Sequence, residues 1–295
     1  MKKAIIDLGT NTFNLLIAEV DSTEFKVLYA DRIAVSIGQG GINDGFITQE
    51  AIARALNALT TFKQVCDTNQ VSSIRAIGTS AIRDAKNNIE FCELVELETG
   101  IIIEIIDGQK EANLIYKGVL WSYAFNEPAV IMDIGGGSTE FVFADQTGVV
   151  DLISLNIGVA RIADLKNFSD PLTQSEVTEI EEWLDQHSTT FFDDKSNATL
   201  IGASGSFETF YELLNEKAFP EAIESYELPF IPLMELVEKL IFSTENERNN
   251  NKWISKIRKK MVPIAAVKVR WIIKKLKVNQ VYVSSCSLKE GALMD

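Results

Sequence analysis

The feature that most constrains this chain is that it repeats itself. Residues Ala4 to Glu19 read AIIDLGTNTFNLLIAE, and Val130 to Asp145 read VIMDIGGGSTEFVFAD, an offset of 126 residues (Asp7 to Asp133). Each copy is an apolar run ending in aspartate, a turn of small residues and a second apolar run. This is the pattern of a β-hairpin with a tight loop. Three further elements recur in order. Val27 to Val35 is echoed by Val149 to Asn156 as a third strand, and the helical pattern of Thr48 to Cys66 by that of Gln174 to Phe191. A strand running into a small-residue turn appears as IRAIGTSAIRDA (Ile74 to Ala85) and as ATLIGASGSFET (Ala198 to Thr209). Gly78 and Gly202 are expected to supply the sharp turns from strand to helix. Duplication accounts for four ordered matches better than chance does. Two related α/β domains, residues 1–125 and 126–295, are expected, with the break near Asn126 to Pro128. Asp7 and Asp133 should then face one another across a cleft between βββαβα-like units.

The later part reads as more helical, with apolar spacing in Ile231 to Phe242, Trp253 to Met261 and Ala265 to Leu276. The run ERNNNK (Glu247 to Lys252) reads as a solvated connection. Val278 to Ser284 is a strand before a short final helix.

Composition limits the chemistry. The chain has 295 residues, of which 46% are hydrophobic and 24% charged, enough for two folded cores. A formal net charge of −14 repels nucleic-acid backbones, so no nucleic-acid partner is expected. The same charge opposes long polyanions, so a phosphate site has to be built locally from amides, a few cations and metal. His187 is the single histidine; histidine-centred hydrolysis and a multi-histidine zinc site fit poorly. Cys66, Cys92 and Cys286 lack metal-ligand spacing and suggest buried thiols in a reducing, cytoplasmic setting. Apolar runs are strand-sized, and the N-terminus lacks the apolar region of a signal peptide, so no membrane association is expected.

The loops suggest what is bound. GTNT and GGGST each follow an aspartate at a strand end. Glycines leave room for a ligand, successive amides can converge on phosphate oxygens, and Thr10, Thr12, Ser138 and Thr139 add hydroxyl donors. Tight hairpin turns without a ligand are the plainer reading, which the repeated aspartate weakens. Neither loop is a GxxxxGK[ST] phosphate loop, and no strand–GxGxxG–helix unit is present. In IIEIIDGQKEANLIYKGV, Glu111 falls in the first turn of an expected helix from Lys110 to Trp121. It either stabilises the helix dipole or faces the cleft as a general base. Arg83 is either a phosphate clamp or a surface residue.

DLGTNTFNLLIA, GTSAIRDAKN, IIDGQKEANLIYKGV, DIGGGSTEFV, SLNIGVARI, IGASGSFET and SCSLKEGAL together resemble the exopolyphosphatase and guanosine pentaphosphate phosphatase family. That family lies within the sugar kinase, Hsp70 and actin superfamily. The resemblance implies duplicated actin-like (ribonuclease H-like) domains with an interdomain cleft. It also implies release of terminal phosphate with a divalent cation, usually Mg2+. By the same resemblance Glu111 is the catalytic carboxylate, and Asp133 and Glu140 are metal-associated, with Asp7 facing them. Phosphate binding falls to Thr10, Asn11, Arg83, Gly135, Gly136, Gly137 and Ser138, and to Gly202, Ser204, Gly205 and Ser206 of the second small-residue turn.

Four positions depart from the family pattern. Lys110 replaces the first of two glutamates, and Lys289 an arginine, losing its bidentate fork. Val35 stands where a cation is common, and Ile264 where glycine usually follows proline. The leading expectation is an exopolyphosphatase-like phosphohydrolase acting on inorganic polyphosphate. A guanosine pentaphosphate 5′-phosphatase and a non-catalytic nucleotide- or polyphosphate-binding regulator are the alternatives. A homodimer is compatible with the resemblance.

Overall fold

The computed structural model describes residues 1–21, 24–188, 190–193, 195–196 and 198–295. In the first half, β1 (Lys2–Leu8), β2 (Thr12–Val20) and β3 (Phe25–Ala34) form an antiparallel meander. β4 (Ser73–Gly78) then joins parallel to β1, and β5 (Ile103–Ile105) parallel to β4, giving the order β3-β2-β1-β4-β5. The helices of this half are α1 (Gln49–Thr68), α2 (Ser80–Arg83), α3 (Asn88–Thr99) and α4 (Gly108–Val119).

The second half repeats the plan. β6 (Ala129–Ile134), β7 (Thr139–Asp145) and β8 (Gly148–Leu155) form the meander, and β9 (Thr199–Ala203) lies parallel to β6. β10 (Ser225–Leu228) and β11 (Val281–Ser284) complete a sheet of order β10-β11-β9-β6-β7-β8. Its helices are α5 (Val159–Ala163), α6 (Gln174–His187), α7 (Gly205–Asn215), α8 (Phe230–Ile241), α9 (Glu245–Asn250), α10 (Val262–Leu276) and α11 (Leu288–Leu293).

The central strands are apolar on both faces, and their period of two divides the molecule into three cores. Ala4, Ile6 and Leu8 of β1 pack outward with α1 and α3. Val130, Met132 and Ile134 of β6 do the same with α6, α7, α8 and α10. The alternate residues, Ile5 of β1 and Ile131 of β6, join a third core around Leu114 and Ile115 of α4 and Leu288 and Ala292 of α11. In that layer α4, from the first half, packs on β7 and β8, while α11, from the second, packs on β1 and β2. The two helices meet backbone to backbone. A Cβ on Gly118 would stand 1.8 Å from the Ser287 carbonyl oxygen, and one on Gly291 1.9 Å from that of Leu114.

Several local expectations are corrected. Residues 253–261 form turns rather than a helix. The polar run beginning at Glu247 is solvated as expected except at Arg248, but its first four residues belong to α9, started by a capping box between Thr244 and Glu247. Its Arg248 is buried, bonding Asp170 and the Ser243 and Lys259 carbonyls, while Glu247, Asn249, Asn250 and Lys252 stay exposed. The helix expected to reach Phe191 stops at His187. Thr189 lies outside the described residues, and a 3₁₀ turn at Thr190–Phe192 then buries two phenylalanines.

Gly78 ends β4 two residues before α2 begins, at the expected turn, but Gly202 does not hold the equivalent place. Gly202 lies inside β9, where any Cβ would enter the Phe207 ring at 1.9 Å. The turn residue is Ser204, with φ 65°. Strand register explains the mismatch: Asp7 pairs with Ile77 and Asp133 with Ala203, so Ser204 occupies the position equivalent to Gly78.

Candidate active site

Both hairpin turns are pulled back by the segment that follows the third strand of their half. The Asn11 carbonyl accepts from the amides of Val35 (3.1 Å) and Ser36 (2.9 Å). The carbonyls of Gly135, Gly136 and Gly137 accept from Val159 (3.1 Å), Ala160 (2.8 Å) and Gly158 (3.2 Å). In a planar trans peptide the next residue's N–H points opposite to the carbonyl. Spending the carbonyls of 135–137 on α5 therefore aims the amides of Gly136, Gly137 and Ser138 away from it. Gly136 and Gly137 abut the first half directly. A Cβ on Gly136 would lie 2.8 Å from Thr10 Cβ and Asn11 Nδ2, and one on Gly137 2.5 Å from Ser80 Oγ.

The carboxylates surround these turns. Asp133 ends β6 and is nearly buried, with Oδ1 accepting from Ser204 Oγ (2.6 Å) and Oδ2 from Ser287 Oγ (2.8 Å). Glu140 lies directly across the β6/β7 ladder and accepts from Ser154 Oγ (2.6 Å). Asp7 is half-buried and accepts from Asn14 Nδ2 (3.0 Å). Glu111 is 6% exposed in the first turn of α4, which Asp107 caps through the Lys110 amide, and its Oε2 bonds Arg83 Nη1 at 2.8 Å.

Burial dominates the electrostatics of this group. It pushes Asp7 up to about 6, aided by Asp133. It pushes Glu140 up to about 7, with the Asp133 charge the next cause. Glu111 rises well above the ordinary carboxylate value through burial and then the Glu140 charge, against the pull of Arg83. Asp133 rises as well, restrained by its two serines. Mutual repulsion among Asp7, Asp133, Glu140 and Glu111 places them in one field across the two halves. Four carboxyls with raised values form a site that gains from a bound cation.

Among the described residues no group of three or more His, Cys, Asp or Glu side chains is gathered tightly enough to hold a metal by itself. The donors are all oxygens and each keeps acceptor capacity. They fit a hard cation such as Mg2+, which needs one or two carboxylates when phosphate and water complete its shell.

Of the expected site residues, the structure brings Thr10, Asn11, Gly136 and Gly137 into direct apposition and pairs Arg83 with Glu111. Ser204 is spent on Asp133, Gly205 opens α7 beneath the Arg258 guanidinium, and Ser206 follows half-buried. Gly202 stands apart inside its strand. Val35 is core, and the nearby cation is Arg54, whose Nε and Nη2 donate to the Val35 (2.7 Å) and Ser36 (2.9 Å) carbonyls. Burial opposes the charge on Lys289, but Glu290, Asp7 and Glu208 outweigh it, and its pKa is raised.

Sequence reasoning missed three groups. Ser287 holds Asp133 from the turn before α11. Arg161 spans the halves, donating to Gly137 O (2.8 Å) and Ile42 O (3.3 Å) and pairing with Asp84. Lys268 is wholly buried in α10 and donates to Thr139 Oγ1 and the Ile157 carbonyl, beneath the GGGST turn. Burial lowers its pKa to about 7, partly offset by Glu140 and Asp133. The conspicuous open groove beside α4, lined by Asp107, Gln109, Lys110 and Asn113, holds none of the cleft carboxylates.

Known proteins share this fold. A solved exopolyphosphatase from Cytophaga hutchinsonii is 32% identical and superposes with a TM-score of 0.94, covering 99% of this chain and 96% of its own. The Aquifex aeolicus PPX-GPPA enzyme is 26% identical with a TM-score of 0.82, covering 100% and 99%. By sequence, a bifunctional 3-dehydroquinate synthase/phosphatase of Fusobacterium nucleatum is 34% identical over 81% of this chain, which spans only 37% of that protein. Exopolyphosphatase 2 of Mycobacterium tuberculosis is 31% identical over 83% of this chain and 81% of its own. The actin-like fold implied by the resemblance is thus the architecture of known enzymes. Residues 16–295 match the Ppx/GppA phosphatase family, and the chain belongs to it.

Proposed function

We propose that this protein hydrolyses the terminal phosphate of inorganic polyphosphate, with Glu111 as general base and a divalent cation, most simply Mg2+, at Asp133 and Glu140. One observation carries the reading. A nearly buried carboxylate with a raised pKa, held by Arg83, feels the charges of Glu140 and Asp7, while the facing turns bring Thr10 and Asn11 against Gly136 and Gly137. A general base operates best when its pKa approaches the working pH, and burial moves Glu111 that way.

In this mechanism the turn amides of Gly136, Gly137 and Ser138, with Thr10, Asn11 and Arg83, hold the terminal phosphoryl group. Ser204 acts indirectly, by holding the Asp133 carboxylate, and Gly202, Gly205 and Ser206 take no part. Glu111 accepts a proton from the attacking water, and Arg83 fixes its orientation. The cation, when bound, neutralises phosphate charge, with Asp7 opposite. The chemistry is mainly positioning and charge stabilisation, as for phosphoryl transfer generally.

Guanosine pentaphosphate as substrate is the second reading. It is favoured by a 28% identical relative in Aliivibrio fischeri, a guanosine-5′-triphosphate,3′-diphosphate pyrophosphatase, matched over 75% of this chain and 45% of its own. A binding regulator without turnover is disfavoured by the retained Glu111–Arg83 pair. Phosphate release by purified protein with Mg2+, measured on polyphosphates of defined length and on guanosine pentaphosphate, tests the proposal. Release from neither substrate overturns it.

A further inference from the structure

Ser80 opens α2, one turn before Arg83, and is 2% exposed. Its hydroxyl is the buried side-chain polar atom, among the described residues, that has no hydrogen-bond partner. Such a group is costly to bury, and its persistence calls for an explanation. Its surroundings supply one. Across the halves it faces Gly137, where a Cβ would stand 2.5 Å from Ser80 Oγ and 2.8 Å from Thr10 Oγ1. Two hydroxyls of the first half thus converge on the bare face of the central glycine in the second half's turn. Residues three apart on a helical turn share a side, so Ser80 lies on the side of α2 that carries Arg83, the partner of Glu111.

We propose that the Ser80 hydroxyl is a phosphate-binding group, its unmet hydrogen bond reserved for an oxygen of the terminal phosphoryl group or of released inorganic phosphate. The proposal rests on the phosphohydrolase reading above and adds a specific ligand contact to it. Glycine at 137 is what lets both hydroxyls approach the turn, since any side chain there would collide with them.

The test uses two readouts with opposite expectations. Removing an unpartnered buried hydroxyl relieves the ligand-free protein, so Ser80→Ala should melt no lower than the parent without phosphate. The same change removes a hydrogen bond to an anion, so inorganic phosphate, titrated calorimetrically with Mg2+ present, should bind roughly tenfold or more weakly. Ser80→Cys, similar in size but a weak donor, should fall between them. A Ser80→Ala protein that melts lower and binds phosphate like the parent would show a structural hydroxyl satisfied by buried water. Unchanged melting with unchanged affinity also overturns the proposal. A parent that neither binds nor releases phosphate overturns both readings. A parent that does both, beside an indistinguishable Ser80→Ala, overturns only this one.

Discussion

Asp133 and Glu140 pair directly across the β6/β7 ladder, at the positions that Asp7 and Asn14 hold in β1/β2. In the first half the pair is a carboxylate and its amide donor, 3.0 Å apart. In the second it is two carboxylates, and the Asp133 charge helps push Glu140 up to about 7. The duplicated hairpin has become chemically unequal at one position. The first copy meets its aspartate with an amide donor, and the second sets a second carboxylate against it.

Magnesium dependence should therefore follow the second pair. Asp133→Asn and Glu140→Gln should each shift the Mg2+ concentration for half-maximal activity upward by at least tenfold, whereas Asn14→Ala should leave it within about twofold. Activity titrations of the three variants decide this. Equal shifts at all three would mean that the asymmetry has no bearing on metal.

Stability should depend on pH with a definite sign. Asp7 and Glu140 have folded values raised from 3.8 to about 6 and from 4.5 to about 7. Between roughly pH 4 and 7 the native state keeps protons that the unfolded chain has lost, so stability falls as pH rises. Lys268, lowered from 10.5 to about 7, acts oppositely above neutrality. In chelator the melting temperature should decline from pH 5 to 7. Glu140→Gln should flatten the decline, and Mg2+ should reverse it. A melting temperature that climbs across this window in chelator contradicts the assignment.

The catalytic base is tested by Glu111→Gln, which should lower kcat by ~10²–10⁴-fold while calorimetric substrate affinity changes little. Arg83 lowers the Glu111 pKa through a 2.8 Å hydrogen bond and its charge. Arg83→Ala should accordingly raise KM and move the acidic limb of the kcat profile to higher pH. A limb unmoved in Arg83→Ala, or parental turnover in Glu111→Gln, would reduce Glu111 to a helix-start carboxylate.

Packing of the middle layer is tested at Gly118. Its Cβ would meet the Ser287 carbonyl oxygen at 1.8 Å, a backbone atom that cannot swing aside. Gly118→Ala should destabilise by at least ~1–3 kcal/mol, the usual cost of overpacking. Because the Ser287 hydroxyl also holds Asp133, activity should fall beyond the loss of folded protein. Denaturant unfolding and specific activity, measured together, separate the two effects.

Much of this fold was legible because its hairpins are apolar runs broken by turns of small residues, and because Asp7 and Asp133 close equivalent strands. The Glu111 helix was expected from Lys110 to Trp121; it runs from Gly108 to Val119, started by Asp107, whose side chain accepts from the Lys110 amide. What stayed hidden depends on contacts distant in sequence. Ser287 meets Asp133 across 154 positions and Arg161 meets Asp84 across 77, and neither spacing leaves a local pattern. Lys268 sits between buried Val267 and Val269 in a helix closed on all sides. Its charge gives no hint that Thr139 and Ile157 will receive it. Gly202 misled for the converse reason: glycine in a strand signals a turn or a large neighbour, and only tertiary packing shows it to be Phe207.

The glycine contact between α4 and α11 also bears on movement. Glu111 rides on α4 and Lys289 on α11, and two helices touching through bare backbone cannot slide without a clash. The two halves are therefore joined twice, once where their hairpin turns abut and once through this bare-backbone seam, from which both Glu111 and Lys289 project.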